Sequence, residues 1–214
     1  MIAGIVAGGR PLVSADAQDP YWSSVTTLLH LDGSEGGTTF VDQKGAAWSA
    51  TGAAKLTTSV KKYGTASLIL DGSSNIKRTA GLDTALGSAP FTLEAWIYLD
   101  VGASDAGLFF AVSGSGLTVE TVGGLVQVGA RNTTPNIVTS SSGLPYGAFA
   151  HLAIVRDTTN VTIFIDGVNK GSAAHAGSFG NGDLQLGSYT SGYKYLKGKI
   201  DDFRITRGVA RYTS

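Results

Sequence analysis

Nine consecutive residues, Phe91-Thr92-Leu93-Glu94-Ala95-Trp96-Ile97-Tyr98-Leu99, alternate more regularly than any other stretch of this chain. A strand turns successive side chains to opposite faces, so Phe91, Leu93, Ala95, Ile97 and Leu99 share one face. Thr92, Glu94, Trp96 and Tyr98 share the other. A face that keeps Trp and Tyr is expected to lie half-buried, under the opposite sheet or a loop.

Shorter strand signals surround this one. Val25 to Leu31, Ser67 to Leu70, Leu108 to Val112, Leu117 to Val122 and Leu125 to Ala130 read as strands, with Gly123-Gly124 as a hairpin turn. Thr38 to Val41, Ala46 to Ser49 and a piece near Ile137-Val138 are weaker. Phe149 to Arg156 and Val161 to Ile165 form a hairpin across Asp157-Thr158-Thr159-Asn160; Leu184 to Gly187 and the stretch after Gly198 follow. Residues 172 to 182 read as a polar excursion. No segment of ten or more residues carries a helical period. About a dozen short strands separated by turns predict two antiparallel sheets packed face to face, roughly 10 Å apart.

At 214 residues, with 43% hydrophobic and 15% charged, the chain can bury a single large β core. Its formal net charge of +0 argues against nucleic acid as a partner, because that partner needs a basic face to displace counterions. Cysteine is absent, which excludes disulfides, thiolate metal sites and cysteine nucleophiles, and fits folding in a reducing cytoplasm. No apolar run reaches the roughly 18–20 residues of a membrane span. Residues 1–20 lack alternation and read as an N-terminal arm, with residues 21–214 as the domain proper. Ile2, Ile5, Val6, Leu12 and Val13 give the arm apolar docking points; a frayed terminus is the competing reading. Ala15-Asp16-Ala17 mimics a leader cleavage site, but the preceding run has no basic start and is broken by Gly4, Gly8 and Gly9.

Four segments carry a resemblance. Leu28-Leu29-His30-Leu31-Asp32-Gly33, Ala66-Ser67-Leu68-Ile69-Leu70-Asp71-Gly72, Ala150-His151-Leu152-Ala153-Ile154-Val155-Arg156 and Gly198-Lys199-Ile200-Asp201-Asp202-Phe203-Arg204-Ile205 occur in the order seen in laminin-G-like, concanavalin A-type jelly rolls. The resemblance implies an all-β jelly-roll sandwich in which Val25–Leu31 pairs with the strand around Ile200–Ile205. Asp19-Pro20-Tyr21-Trp22-Ser23-Ser24-Val25 and Gly208-Val209-Ala210-Arg211-Tyr212-Thr213 further resemble such domains from virion proteins of tailed bacteriophages. That implies a decoration, fibre or tail-tip protein of the virion, made in the host cytoplasm. It would be held in many copies or as a homo-oligomer, attached to other virion proteins through the arm. A secreted or surface carbohydrate-binding module of a bacterium is the alternative.

Some jelly rolls of this type are glucanases, whose retaining chemistry needs two carboxylates about 5–5.5 Å apart. Glu35, Glu94 and Glu120 each lack a second carboxylate two residues away, so no enzyme is expected. Glu94 beside Trp96 mimics a catalytic acid but reads as a sheet-surface residue. His30 and His151 read as strand residues that hydrogen-bond at the core or rim. The resemblance also implies a structural calcium, with Asp201 ahead of Phe203-Arg204-Ile205 as a ligand and Asp32 as its companion. The competing reading is that Asp32 shapes a turn and Asp201 and Asp202 pair with Lys199, Arg204 or Arg207. Glycans need an aromatic face with polar neighbours, which Tyr189, Tyr193 and Tyr195 offer together with Ser188, Thr190, Ser191 and Lys194. The same tyrosines would equally cover a sheet edge or a subunit contact.

Overall fold

The computed structural model describes residues 19–81, 84–103, 107–189 and 194–213. After a 3₁₀ turn at Trp22–Ser24, fifteen strands follow among the described residues. They are β1 (Val25–Leu29), β2 (Ser49–Thr51), β3 (Lys55–Thr57), β4 (Ser67–Asp71), β5 (Asn75–Arg78), β6 (Phe91–Leu99), β7 (Leu108–Val112) and β8 (Leu117–Val122). The rest are β9 (Leu125–Ala130), β10 (Thr134–Thr139), β11 (Phe149–Arg156), β12 (Asn160–Ile165), β13 (Val168–Ala174), β14 (Leu184–Leu186) and β15 (Lys197–Arg207). One sheet runs β13-β12-β11-β6-β15-β4-β3, with β1 also on β15; the other runs β10-β9-β8-β7-β14-β5-β2. Every ladder between named strands is antiparallel. No helix among the described residues is long and apolar enough to cross a membrane.

The expected pairing of first and last strands is present: Thr27, Leu28 and Leu29 oppose Ile205, Arg204 and Phe203. β15 is long enough to serve two neighbours on one edge, β4 along its first half and β1 along its second. Between those halves the register against β6 shifts at Asp201–Arg204, and Asp202 takes φ +47°. Such a bulge re-aims side chains that strict alternation would send elsewhere.

Between the sheets lies one continuous core, with Phe91, Leu93, Ile97, Phe110, Val119, Leu152, Ile154, Ile200 and Phe203 all buried. Phe203 stacks on Phe110 at 5.7 Å and meets the edge of Trp48 at 6.4 Å. Burying a side chain of this size stabilises by about 1.5–3 kcal/mol. Three strands differ from the sequence reading: β3, β5 and β13 occupy stretches that lack alternation or carry Lys, Asn and Gly. β13 replaces part of the expected polar excursion, because β12 offers it a full set of backbone partners.

Candidate ligand-binding face

The alternation of β6 sets up the site. Its inward residues enter the core, and Thr92, Glu94, Trp96 and Tyr98 stand on the outer face. Antiparallel pairing brings β11 and β15 alongside, so Glu94 lies between Ala153 and Arg204, and Trp96 between His151 and Asp201. Ala153 is small, and the ring of Tyr212 fills the space above it, packed with Ala153, Val155 and Phe164. The tail after β15 is held there by Thr92, whose hydroxyl donates to Val209 O and accepts from Arg211 N.

This cover buries Glu94 to 3% exposure, so the expected sheet-surface carboxylate is the centre of a sealed network. Arg204 places Nε and Nη2 2.8 and 2.7 Å from Glu94 Oε1. His151 Nε2 lies 3.2 Å from Oε2, and the Tyr212 hydroxyl donates to the same oxygen. Burial alone would raise the Glu94 carboxyl, but the bonds from His151, Arg204 and Tyr212 outweigh it and hold the group at about 2. Tyr212 is pushed up to about 12 by burial and by donating to Glu94. Asp19 completes the network, accepting from Arg204 Nη1 at 3.2 Å and Arg211 Nη2 at 2.7 Å. A carboxyl held ionised at neutral pH has no proton to give a glycosidic oxygen, so Glu94 does not have the chemistry of a general acid.

Beside the network is a depression of about 190 Å³ lined by Leu28, His30, Trp96, His151, Asp202 and Arg204, with Glu94 at its edge. The bulge in β15 swings Asp202 out to accept from His30 Nδ1 at 2.7 Å. That bond raises the His30 pKa against a smaller opposing effect of burial. Trp96 is half-buried. The Lys62 ammonium sits 4.0 Å from its ring centre, with Tyr63 edge-on at 5.7 Å and His151 tilted at 5.2 Å.

Lys62 and Tyr63 are placed by Asp201. Its fully buried carboxylate accepts from Lys62 N at 2.7 Å and Tyr63 N at 3.1 Å through Oδ2, and from Asp202 N at 2.9 Å through Oδ1. Burial, helped by the Asp202 charge, pushes this carboxyl up to about 6 against those amide donors. Asp32 Oδ1 ties the same loop, accepting from Thr65 N and from Ala66 N at 3.3 Å. A Cβ at Gly64, which has φ +57°, would overlap the Asp32 carboxylate. The two aspartates thus converge on one loop, and Asp201 holds backbone amides where the competing expectation paired it with Lys199, Arg204 or Arg207. Calcium takes 6–8 oxygen ligands. These carboxylates already serve amide N–H groups, and no group of three or more His, Cys, Asp or Glu side chains among the described residues could hold a metal. The pair as arranged does not fit a calcium ion.

The tyrosine loop lies elsewhere. Tyr189 is half-buried with the Arg131 guanidinium 4.5 Å from its ring centre, and Lys194 reaches Glu120 on the second sheet. Tyr195 is half-buried. Neither lines the depression. Tyr193 and the arm residues Ile2, Ile5, Val6, Leu12 and Val13 fall outside the described residues. Sequence reasoning did not join His30, Asp202, Arg204 and Tyr212 to Trp96. The alternation of β6 was the one signal that pointed to this face.

Among solved structures, domain 4 of an extracellular GH43 arabinanase from Geobacillus stearothermophilus, in complex with arabinotriose, has TM-score 0.70 at 18% identity. The match covers 87% of this chain and 94% of that one. The binding domain of Paraclostridial Mosquitocidal Protein 1 has TM-score 0.67 at 13% identity, with 87% of this chain covering 50% of that one. Domains LG4-5 of the mouse laminin α1 chain have TM-score 0.51 at 16% identity, covering 65% and 40%. The chain therefore spans about half or less of the toxin and laminin structures it matches. No curated protein matches the sequence. Residues 70–210 match the concanavalin A-like lectin/glucanases superfamily, and with about two thirds of its length so matched, from β5 through β15, the chain belongs to that family.

Proposed function

We propose that this domain is a non-enzymatic lectin-like module that binds a glycan on the outer face of its first sheet. The observation that carries this is the depression beside Glu94. It offers the part of the half-buried Trp96 indole that Lys62 and Tyr63 leave open for the apolar face of a sugar, and Asp202, His30 and His151 for its hydroxyls. Glu94 has no second carboxylate two residues away on its strand, which supports binding without hydrolysis. The arabinanase domain, solved with arabinotriose on a similar fold, supports the same reading. The test is Trp96→Ala assayed on a glycan array and by titration calorimetry. Binding should fall at least tenfold while the melting profile stays cooperative. Unchanged glycan binding by the variant would remove this face as the site and return attention to Tyr189, Tyr193 and Tyr195.

The setting we propose is the particle of a tailed bacteriophage, with the domain displayed in many copies and attached through residues 1–20. The residues around Asp19–Val25 and Gly208–Thr213 support it by their resemblance to virion domains. Weak single sites would gain avidity from such display. The second reading, a bacterial secreted or surface carbohydrate-binding module, is favoured by the likeness to a domain of an extracellular arabinanase. Mass spectrometry of purified particles separates the two: high copy number in virions supports the first, and absence from them the second.

A further inference from the structure

A second depression, also of about 190 Å³, lies on the same face beyond Tyr212. Its floor is Phe164 and Val155, its far side Asn169 and Ser172 on β13, and its end Asn160. Thr162 and Phe164 face outward because Val161, Ile163 and Ile165 enter the core. Register sets Ser172 beside Thr162, their hydroxyls 2.8 Å apart, and Asn169 beside Phe164.

Tyr212 lines the second depression and packs against His151, which lines the first. Its ring centre is 6.1 Å from that of His151 and 6.1 Å from that of Phe164, which lines the second. From β15 to β13 there are four strand steps, a path of about 19 Å at the usual spacing. That is too long for one sugar ring and suited to a short chain of them.

The chemistry of the second depression narrows the ligand. Amides and hydroxyls both donate and accept, which matches a polyhydroxyl compound. Asp157 is its charged member, and Asp157 Oδ1 is already engaged by Thr159 N at 2.6 Å and Asn160 N at 2.7 Å. No Lys or Arg is among the described residues that line it, so it has nothing to pair with an acidic sugar. In the first depression Arg204 is committed to Glu94 and Asp19, and the Lys62 ammonium lies against the ring of Trp96. We infer that the two depressions form one site for a neutral, linear oligosaccharide that runs across the strands and over Tyr212. The inference rests on the glycan-binding reading above and extends it to a ligand class and a second contact region.

The test is a chain-length series of neutral glucose, xylose and arabinose oligomers, from monosaccharide to hexasaccharide, titrated against the full chain. Sialylated and uronate-containing oligomers form a second arm. Affinity in one neutral series should rise about tenfold between the shortest and longest binding members, the effect of one or two added hydrogen bonds. In the double variant Asn169→Ala/Ser172→Ala that rise should vanish, the long oligomer binding no better than the short one. Thr162→Val, which keeps the shape of the side chain and removes its hydroxyl, gives the same loss in part and guards against a folding defect in the double variant. Length-independent binding, a rise that survives both variants, or preference for the acidic series overturns this inference while leaving the first depression as a glycan site. Binding of no oligomer in either arm overturns both.

Discussion

On the outer face of the first sheet, Glu94, Trp96, Tyr98, His151 and Arg204 stand side by side, and the tail at 208–213 and the loop at 61–66 lie over them. The outer face of the second sheet presents Ala111, Thr118, Glu120, Gln127, Gly129 and Gln185 opposite its core residues. The difference lies in what covers each face. Buried charge is costly unless it is paired, so the first face needs Tyr212, Arg211 and Asp19 from both ends of the domain to satisfy Glu94 and Arg204. The second sheet meets its buried charge in separate pairs, Glu120 with Lys194 and Arg78 with Asp42, and not in one network. Its neighbours approach closely, as at Gly129, where an added Cβ would strike the Pro135 carbonyl. A folded β-sandwich needs the alternation on both sheets; a ligand site needs side chains that alternation alone does not require.

The sharpest way to break this contrast is to remove the centre of the network. Glu94→Ala takes from the half-buried Arg204 and Tyr212 the acceptor they share, leaving Arg204 to Asp19, and should cost about 3–5 kcal/mol in urea unfolding. Gln127→Ala on the opposite face has only a 3.5 Å contact to Thr139 to lose and should stay within about 0.5 kcal/mol. Equal costs would mean that the two faces are not differently built.

Next in size is Gly64→Ala. The left-handed backbone and the overlap with Asp32 should together cost about 1–3 kcal/mol in thermal unfolding. Because the same loop carries Lys62 and Tyr63 to Trp96, quenching of Trp96 fluorescence should change with it.

Two carboxyls make stability depend on pH with opposite signs. Glu94 is depressed from 4.5 to about 2, so its contribution is present above pH 4.5 and disappears as pH falls toward 2. Asp201 is raised from 3.8 to about 6, so its contribution is present below pH 3.8 and is lost as pH rises through 6. Unfolding free energies measured from pH 3 to 7 should show Asp201→Asn removing the decline between pH 4 and 6. A decline that persists in the variant would assign it to another group. The smallest expected effect is that of calcium. Millimolar calcium or a chelator should leave the melting temperature unchanged, since a ligand of the folded state alone would raise it.

The sequence displayed the long strands because β6, β11 and β15 each bury one whole face, which writes a period of two into the residues. β3 and β5 are three and four residues long, with a Lys in each, and exist because β4, β2 and β14 supply their hydrogen bonds. No local pattern records that. Trp96 and Glu94 were visible as oddities of an alternating strand. Their partners were not, since Asp202 reaches His30 only through a bulge, and Tyr212 and Asp19 lie more than seventy residues away in the chain. The tyrosine loop was judged by its residue types, and residue types do not tell which sheet a loop folds against.

The ion pair between Asp19 and Arg211 has a mechanical side. It brings residues 19 and 211 within one side-chain contact of each other, beside the Glu94 network. Tension drawn along a polypeptide through this unit would enter and leave at nearly the same point. The load would fall first on that contact and on the β1–β15 seam, leaving the rest of the sandwich hanging like a bead beside the line of force.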